Sequence, residues 1–287
     1  MMTGIFTWML LACGDKTEDT AAPVVETDTD TDTDTDTDTD TDTDTDTDTD
    51  NDSDADGFSV EQGDCNDQDG SIHPEATETS SSDGIDSNCD GFDGTFTVLS
   101  TNYGFEDDLN NWLSYVDQGQ ANWLIVNTGD TVYDPTQAEG PAFTAYEGTK
   151  SLKIWGNYDW LPAALNITAY YQEFKDETAV AVDDKVAVSA VATVFDVDAL
   201  TGDNKVYAWI KVWSADYAEE LEVVTSEMEV TSSSVQGEWV RLTAEIAVPD
   251  GAAIVQGGVD FSLTTDENGE YNNGSVYVDN LQIGLIE

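Results

Sequence analysis

Hydrophobic and polar residues alternate with a period of two along most of the chain after Thr95, whereas helical periodicity is almost absent. The alternating runs are KVAVSAVATVF, KVYAWIKVW, EWVRLTAEIAVP, AIVQGGVDFSL and GSVYVDNLQIGL, and turns rich in Asp, Gly and Asn separate them. Such runs are typical of β-strands that bury one face. The pattern therefore predicts a mainly β domain, a two-sheet antiparallel β-sandwich.

The predicted strand KVYAWIKVW differs in character between its two faces. One face carries only aliphatic residues, namely Val206, Ala208, Ile210 and Val212. The other carries Tyr207, Trp209, Lys211 and Trp213. Because the aliphatic face already supplies a continuous core, and because a lysine favours water, the aromatic face is a candidate ligand platform. The alternative is that these rings are buried in a core or an interface, as large aromatic side chains usually are.

Composition divides the chain into four segments. They are an apolar run (residues 1–12), an acidic linker containing an uninterrupted Thr-Asp repeat (13–50), an Asp-rich segment (51–95) and an ordinary globular mixture rich in aromatic residues (96–287). We expect the first to be a signal peptide. The linker is expected to be disordered, because its like charges repel and it has nothing to bury. It is interpreted as a spacer, with threonine O-glycosylation or loose calcium condensation as alternatives.

Acidic residues outnumber basic ones 61 to 8, which gives a formal net charge of -53. Nucleic-acid binding requires a surface rich in Lys and Arg, so that class of partner is excluded. An anionic membrane surface is excluded for the same reason, except through a lipid anchor. Such acidity suits an environment rich in divalent cations.

Two short acidic loops follow the template D-x-[DN]-x-D-G. The first, DSDADG, supplies Asp52, Asp54 and Asp56, and the second, DSNCDG, supplies Asp86, Asn88 and Asp90. Oxygen ligands on alternate residues converge on one centre when the chain curls tightly, and the glycine permits that turn. All-oxygen ligands favour calcium over zinc or copper. The alternative interpretation is an acidic disordered stretch.

The segment around these loops resembles the Asp-rich, MopE-type metal-binding repeat of bacterial surface proteins. The resemblance is carried by DSDADGF, GDCND, HPEATE and DGIDSNCDG. It implies a metal site to which Asp64, Asp67 and Glu78 also contribute. The family is associated with copper, but this segment offers one histidine, His73, and no methionine. Copper sites use histidine, methionine or thiolate ligands, so calcium is the expected cofactor.

Two of the three cysteines, Cys65 and Cys89, lie within the Asp-rich segment. In an exported protein they are expected to form a disulfide, which would contribute roughly 3.5 kcal/mol. A segment this short cannot bury a core of its own, so a disulfide and bound ions are the usual substitute. The alternative, a thiolate metal site, needs more sulfur or histidine than the segment has.

The third cysteine, Cys13, ends the apolar run in the order Leu10, Leu11, Ala12. This stretch resembles a bacterial lipobox, in which the cysteine is lipidated and becomes the mature N-terminus. The resemblance implies an exported protein that is lipid-anchored at the outer membrane or cell surface. No later segment approaches the 18 apolar residues of a membrane-spanning helix.

The final segment resembles the galactose-binding-like jelly roll of many carbohydrate-binding modules. The similar stretches are NYGFEDDLNNW, YEGTKSLKIWG, EWVRLTAEIAVPDGAA and GSVYVDNLQI. In that family a structural calcium ties the first and last strands together, and the matching residues here are Glu106 and Asp279. The alternative is that these are a solvated turn acid and a strand-edge acid. The resemblance implies a carbohydrate or surface glycan as the partner.

Catalysis finds little support in the sequence. His73 is the only histidine, and no phosphate-binding loop or H-E-x-x-H motif is present. Glu220 and Glu222, the nearest acidic pair on one strand face, are interpreted as exposed edge charges. A second aromatic cluster, Trp155, Tyr158 and Trp160, is expected at one end of the sandwich. We therefore expect a non-catalytic surface lipoprotein that binds calcium and carbohydrate. A structural or adhesive surface protein that contacts other proteins is the alternative.

Overall fold

Two antiparallel sheets pack face to face in the computed structural model, which describes residues 52–78, 83–116, 122–132, 141–155, 166–175, 180–265, 267–268 and 272–287. The strands up to the chain's middle are β1 (Phe96–Val98), β2 (Leu113–Val116), β3 (Asn122–Asn127), β4 (Lys150–Trp155), β5 (Asn166–Phe174) and β6 (Lys185–Thr193). The remainder are β7 (Lys205–Trp213), β8 (Glu220–Thr225), β9 (Val230–Thr231), β10 (Val240–Ala247), β11 (Ile254–Leu263) and β12 (Ser275–Ile286). Short 3-10 helices cover Val60–Gln62, Asp196–Asp198 and Ala215–Tyr217. None of the helices in these ranges is long and apolar enough to cross a membrane.

Each sheet has six strands. The first sheet has the order β10-β6-β12-β4-β3, with β1 paired to β12, and the second has the order β2-β5-β11-β7-β8, with β9 paired to β7. All the described strand pairs are antiparallel. The predicted fold class, a mainly β antiparallel sandwich, is confirmed.

Aliphatic side chains on alternate positions of the central strands fill the space between the sheets. The predicted inward face of β7, formed by Val206, Ala208, Ile210 and Val212, is completely buried. In β6 both faces are buried, because Ala187 and Val191 on its outer side are also covered. A strand that is apolar on both faces needs cover on both, and part of this cover comes from the Asp-rich segment.

Phe92 anchors the Asp-rich segment to the outer face of the first sheet. Its ring is 3% exposed and packs with Phe96, Ala187 and Ile286. Burying such a side chain contributes about 1.5–3 kcal/mol. One residue earlier, a Cβ on Gly91 would lie 2.7 Å from Thr243 Cγ2, so glycine permits close approach to β10. The second acidic loop is therefore held against the sandwich.

Gly258, at the centre of β11, leaves room for aromatic rings on the outward face of the second sheet. A Cβ at this position would lie 2.6 Å from the Cβ of Tyr171 on the neighbouring strand. Trp209 is the residue opposite Gly258 on the other side. The absent side chain lets the Tyr171 and Trp209 rings approach to 5.8 Å between centroids.

Candidate functional site

The first acidic loop is curled by hydrogen bonds from its own backbone to its aspartates. Asp52 accepts from the amides of Ala55 (2.7 Å) and Gly57 (3.0 Å), and Asp56 accepts from Phe58 (2.9 Å). Ala55 and Gly57 have φ angles of 64° and 107°, in the left-handed region. This curl points the remaining carboxylate oxygens toward one centre.

The second loop repeats the same turn. Asp86 accepts from Gly91 (2.8 Å), and Asp90 accepts from Phe92 (3.0 Å). Cys89 and Gly91 have φ angles of 54° and 98°, matching the equivalent positions of the first loop. The shared D-x-[DN]-x-D-G template therefore encodes one backbone conformation twice.

The carboxylates of Asp52, Asp54 and Asp56 form the first candidate cation site. Each offers an oxygen, and these oxygens lie within 4.8 Å of one another. Burial, followed by the charge of Asp56, raises the pKa of Asp54. Buried oxygens of Asp54, Asp56 and Asp64 have no hydrogen-bond partner among the described residues. Buried carboxylate oxygens without donors are costly unless a cation compensates them.

Asp64 lies outside the loop and outside this group of carboxylates, and its expected ligand role stays a prediction. Its side chain is 3% exposed, and its charge acts on Asp54. Both carboxylate oxygens of Asp67 accept hydrogen bonds from Ser53, one from its amide (3.0 Å) and one from its hydroxyl (2.5 Å). These bonds stabilise the loop. The ligand role expected for Asp67 stays a prediction.

The second candidate cation site lies beside the second loop. Glu78, Asp83 and Asp93 bring carboxylate oxygens within 4.8 Å of one another. Glu78 Oε1 and Asp93 Oδ1 are buried and lack partners among the described residues. Asp83 and Asp93 were absent from the sequence-based ligand set. Asp83 stands in the D-G-x-D part of the motif, but spacing alone does not show that it folds back toward Glu78.

Asp86, Asn88 and Asp90, the predicted ligands, are engaged mainly with one another and with the backbone. Asn88 Nδ2 donates to Asp90 Oδ2 at 3.0 Å, and the amide of Asp90 donates to Asp86 at 3.1 Å. Burial raises the pKa values of both aspartates, and the charge of Arg241 on β10 partly opposes it. Their ligand role stays a prediction.

Cys65 and Cys89 form the predicted disulfide, with Cα atoms 5.6 Å apart. The bridge links the middle of the Asp-rich segment to the second loop. It therefore joins the regions of the two cation sites covalently. The thiolate alternative is excluded for these residues because their sulfurs are bonded to each other.

Glu106 and Asp279 both accept hydrogen bonds from the segment that leads into β4 in the first sheet. Glu106 accepts from the amide (2.6 Å) and hydroxyl (2.7 Å) of Thr149, and Asp279 accepts from Tyr146 (3.0 Å) and Ser151 (2.8 Å). Burial raises the pKa of Asp279 to about 6. For Glu106, burial acts to raise the pKa, but these hydrogen bonds bring it below its usual value. A calcium role for the pair stays a prediction.

The outward face of the second sheet carries the predicted platform. Residues directly opposite in an antiparallel pair share a face, so the registers place neighbouring strands' side chains beside those of β7. This face, which we call the aromatic face, includes Leu113, Tyr115, Tyr171, Glu173, Tyr207, Trp209, Lys211, Trp213, Val223, Gln256, Asp260 and Ser262. It carries both aromatic rings and polar side chains, and Tyr115 at its edge is 51% exposed.

Trp209, at the centre of the aromatic face, is a buried residue. The sequence left a wet platform and a buried ring as alternatives, and the Trp209 side chain is 2% exposed, in line with the buried alternative for this residue. Lys211 Nζ lies 4.4 Å from the centroid of its ring, and Tyr171 packs beside it. The lysine that was expected to keep the face wet instead lays its charged end over the indole. A ligand role for Tyr207, Trp209, Lys211 and Trp213 stays a prediction.

Trp213 belongs to a hydrogen-bonded corner at one end of the aromatic face. Its Nε1 donates to Gln256 (3.0 Å), whose Nε2 donates to Glu173 (2.7 Å). The Tyr217 hydroxyl also donates to Glu173, and Lys175 pairs with that carboxylate at 2.7 Å. These hydrogen bonds hold the rings of Trp213 and Tyr217 edge to face, with their centroids 5.9 Å apart.

Tyr217 was missed by sequence reasoning because it lies outside the strand alternation. It follows β7 in a 3-10 turn, where Asp216 and Tyr217 both have positive φ angles (59° and 56°). For a bulky residue this conformation is disfavoured by roughly 1–2 kcal/mol. The ring is nevertheless 42% exposed, so burial does not explain why it is held there. Backbone strain that positions an exposed ring favours a binding role.

Several predicted features lie outside the described residues. These are Cys13, the signal peptide, the Thr-Asp linker, Tyr158 and Trp160. Trp155 ends β4 and is partly buried, with Lys153 Nζ 5.7 Å from its ring. Glu220 and Glu222 on β8 are exposed, as expected.

A family model described as "Putative metal-binding motif", of the copper-binding MopE type, matches residues 64–93. The match contains the disulfide and the second cation site. The first loop, Asp52–Asp56, precedes it. The comparison with curated proteins gives no match.

Solved structures that resemble the sandwich include carbohydrate-binding modules. The CBM22-1 xylan-binding domain of Paenibacillus barcinonensis Xyn10C aligns with 14% identity and a TM-score of 0.41, over 68% of this chain and 96% of that domain. Carbohydrate-binding modules of promiscuous specificity from the β-sandwich superfamily align with 14% identity and a TM-score of 0.40, over 66% of this chain and 62% of theirs.

A bacteriophage CBA120 tailspike protein 4 domain aligns with 12% identity and a TM-score of 0.42. That alignment covers 66% of this chain and 21% of the tailspike domain. This chain thus spans about a fifth of the tailspike domain's length. The likenesses to solved structures concern the fold.

Proposed function

We propose that this protein is a non-catalytic surface lipoprotein in which a calcium-bound, disulfide-linked segment supports a glycan-binding β-sandwich. The observation that carries the proposal is the aromatic face, where rings and hydrogen-bonding side chains lie together on the sheet surface that faces away from the core. Flat rings can stack on the apolar faces of sugar rings, while the polar groups between them bind hydroxyls. The export signal and the lipid anchor at Cys13 belong to the proposal.

Calcium is the ion proposed for both candidate cation sites. Their donors are carboxylates, which suit hard cations, and the disulfide makes the two cysteine sulfurs of the segment unavailable as thiolate ligands. The single histidine, His73, stacks on Phe58 with ring centroids 5.1 Å apart, and its Nδ1 lies 2.7 Å from the carbonyl of Pro74. These contacts occupy one face of the His73 ring and one of its nitrogens. Calcium therefore fits the segment better than copper, which uses histidine ligands.

The cation proposal can be tested by calorimetric titration of the full chain with calcium and with copper(II). Asp54→Asn should weaken calcium binding at the first site, because it removes one of three grouped carboxylates. Asp69→Asn is the matched control, since Asp69 is an exposed acid of the same segment that bonds Ser71. Calcium heats that are identical in both variants and wild type, or copper binding in preference to calcium, would contradict the proposal.

The glycan proposal can be tested by affinity electrophoresis of the full chain in gels containing xylan, mixed-linkage β-glucan or galactomannan. Tyr217→Ala should abolish the retardation seen for wild type, because it removes the exposed ring at the end of the aromatic face. Tyr103→Ala is the matched control, with a ring 37% exposed elsewhere on the sandwich. If no polysaccharide retards the wild-type protein, the adhesive alternative replaces the glycan proposal.

A further inference from the structure

Asp260 is a buried carboxylate at the centre of the aromatic face. Its side chain is 4% exposed, and burial raises its pKa to about 6. The Tyr207 hydroxyl donates to Oδ2 at 3.2 Å, but Oδ1 has no hydrogen-bond partner among the described residues. An ionised carboxylate with one unpaired oxygen destabilises the folded protein at neutral pH. Its presence therefore calls for a reason other than stability.

Trp209 supplies a second unpaired polar group at the same place. Its Nε1 is buried and without a partner among the described residues, although tryptophan nitrogens usually find one when buried. The indole N–H is close enough to Asp260 to oppose the burial effect on the carboxylate's pKa, but it makes no hydrogen bond of normal geometry with it. A donor and an acceptor thus lie side by side, each unsatisfied. Such a pair matches a hydroxyl, which can accept from one and donate to the other.

Lys211 lies across this pair. Its ammonium is 4.4 Å from the centroid of the Trp209 ring, and its charge acts on Asp260. The other lysines near this face are held by carboxylates, Lys175 by Glu173 and Lys205 by Glu229. Lys211 forms no salt bridge within the described residues. Its flexible side chain is therefore held by the contact with the Trp209 indole and by its electrostatic attraction to Asp260.

We propose that Asp260 and the Trp209 indole N–H form a subsite for sugar hydroxyls, and that Lys211 covers this subsite until a neutral glycan displaces it. The proposal rests on the proposed glycan-binding function and deepens it. When Lys211 moves aside, the subsite gains both a hydrogen-bonding floor and the ring face that the ammonium covered. A neutral ligand fits better than an acidic one, because Asp260 and Glu173 would repel an anion.

The test compares three variants of the full chain with wild type, using the polysaccharide that retards wild type most strongly. Asp260→Asn should weaken binding roughly 10- to 100-fold, as expected for loss of a charge-assisted hydrogen bond. Lys211→Ala should bind as tightly as wild type or more tightly, because the cover no longer has to be displaced. Asp216→Asn, the same change at an exposed site beside Tyr217, should leave binding unchanged.

A thermal melt separates binding from folding, since Asp260→Asn should melt no lower than wild type at pH 7. Binding of Asp260→Asn within twofold of wild type would overturn the subsite while leaving the glycan proposal intact, provided Tyr217→Ala still loses binding. Loss of binding in Lys211→Ala would show that the lysine contacts the ligand, and would overturn its role as a cover. No retardation of wild type by any neutral polysaccharide would overturn both proposals.

Discussion

Replacement of Trp209 by alanine should destabilise the sandwich strongly, because the structure places this ring under Lys211 and beside Tyr171. The side chain is 2% exposed, and truncation would remove its contacts and leave a cavity. Large-to-small changes of buried aromatic residues cost about 3–5 kcal/mol. For a protein of this size that corresponds to a fall in melting temperature of roughly 6–20 °C.

The measurement is a thermal melt followed by circular dichroism, with urea unfolding of the same samples to give free energies. Tyr217→Ala is the control, because its ring lies on the same face but is 42% exposed. That variant should change the unfolding free energy by less than about 1 kcal/mol. A Trp209→Ala protein that melts within 2 °C of wild type would refute the reasoning, since the ring would then not be buried in solution.

Four further outcomes are expected. The pKa of Asp260 is raised in the folded state from 3.8 to about 6, so its contribution to stability is present below pH 3.8 and lost as the pH rises through about 6. The unfolding free energy of wild type minus that of Asp260→Asn should therefore fall between pH 4 and 8, by at most about 3 kcal/mol; a flat difference would contradict this. Adding 10 mM calcium to chelator-treated protein should raise the unfolding free energy by about 1.4–2.7 kcal/mol per site, for dissociation constants on the order of 0.1–1 mM, and magnesium at the same concentration provides the comparison. Reduction of Cys65–Cys89, which closes a loop with a sequence separation of 24, should destabilise the Asp-rich segment by about 3.5 kcal/mol, as measured by urea unfolding with and without reductant. Cys13→Ser should move the protein from the membrane fraction to the soluble fraction, and a variant that still pellets after a salt wash would contradict lipid anchoring.

Local sequence patterns account for the fold class and the acidic turns. Side chains of a strand point to opposite faces with a period of two residues. That period alone groups Val206, Ala208, Ile210 and Val212 of β7 on one aliphatic face, which is the face toward the core. The two D-x-[DN]-x-D-G loops likewise adopt the same turn, because their hydrogen bonds join residues at most five positions apart. The disulfide was predictable because the segment contains two cysteines and little else that could stabilise it.

Local sequence patterns could not predict contacts between residues that are far apart in the chain. The grouping of Asp83 and Asp93 with Glu78 depends on how the segment folds back on itself, which no local spacing specifies. Tyr217 and Glu173 are 44 residues apart in the chain and meet across the aromatic face. The β11 residues Gln256 and Asp260 were not assigned to the face, because the sequence does not show which strand lies beside β7.

The sequence by itself thus determined which residues of β7 point inward, the two acidic turns and the cysteine pair, since each depends on interactions within a short stretch of chain. Only the tertiary structure decided that Trp209 is covered, that Asp260 lies beside it with one carboxylate oxygen unpaired, and that the Asp-rich segment packs on the first sheet through Phe92. Burial is the reason for the difference. Whether an outward-facing ring meets water or another side chain depends on the register of neighbouring strands and on what packs over them, and these are properties of the whole fold.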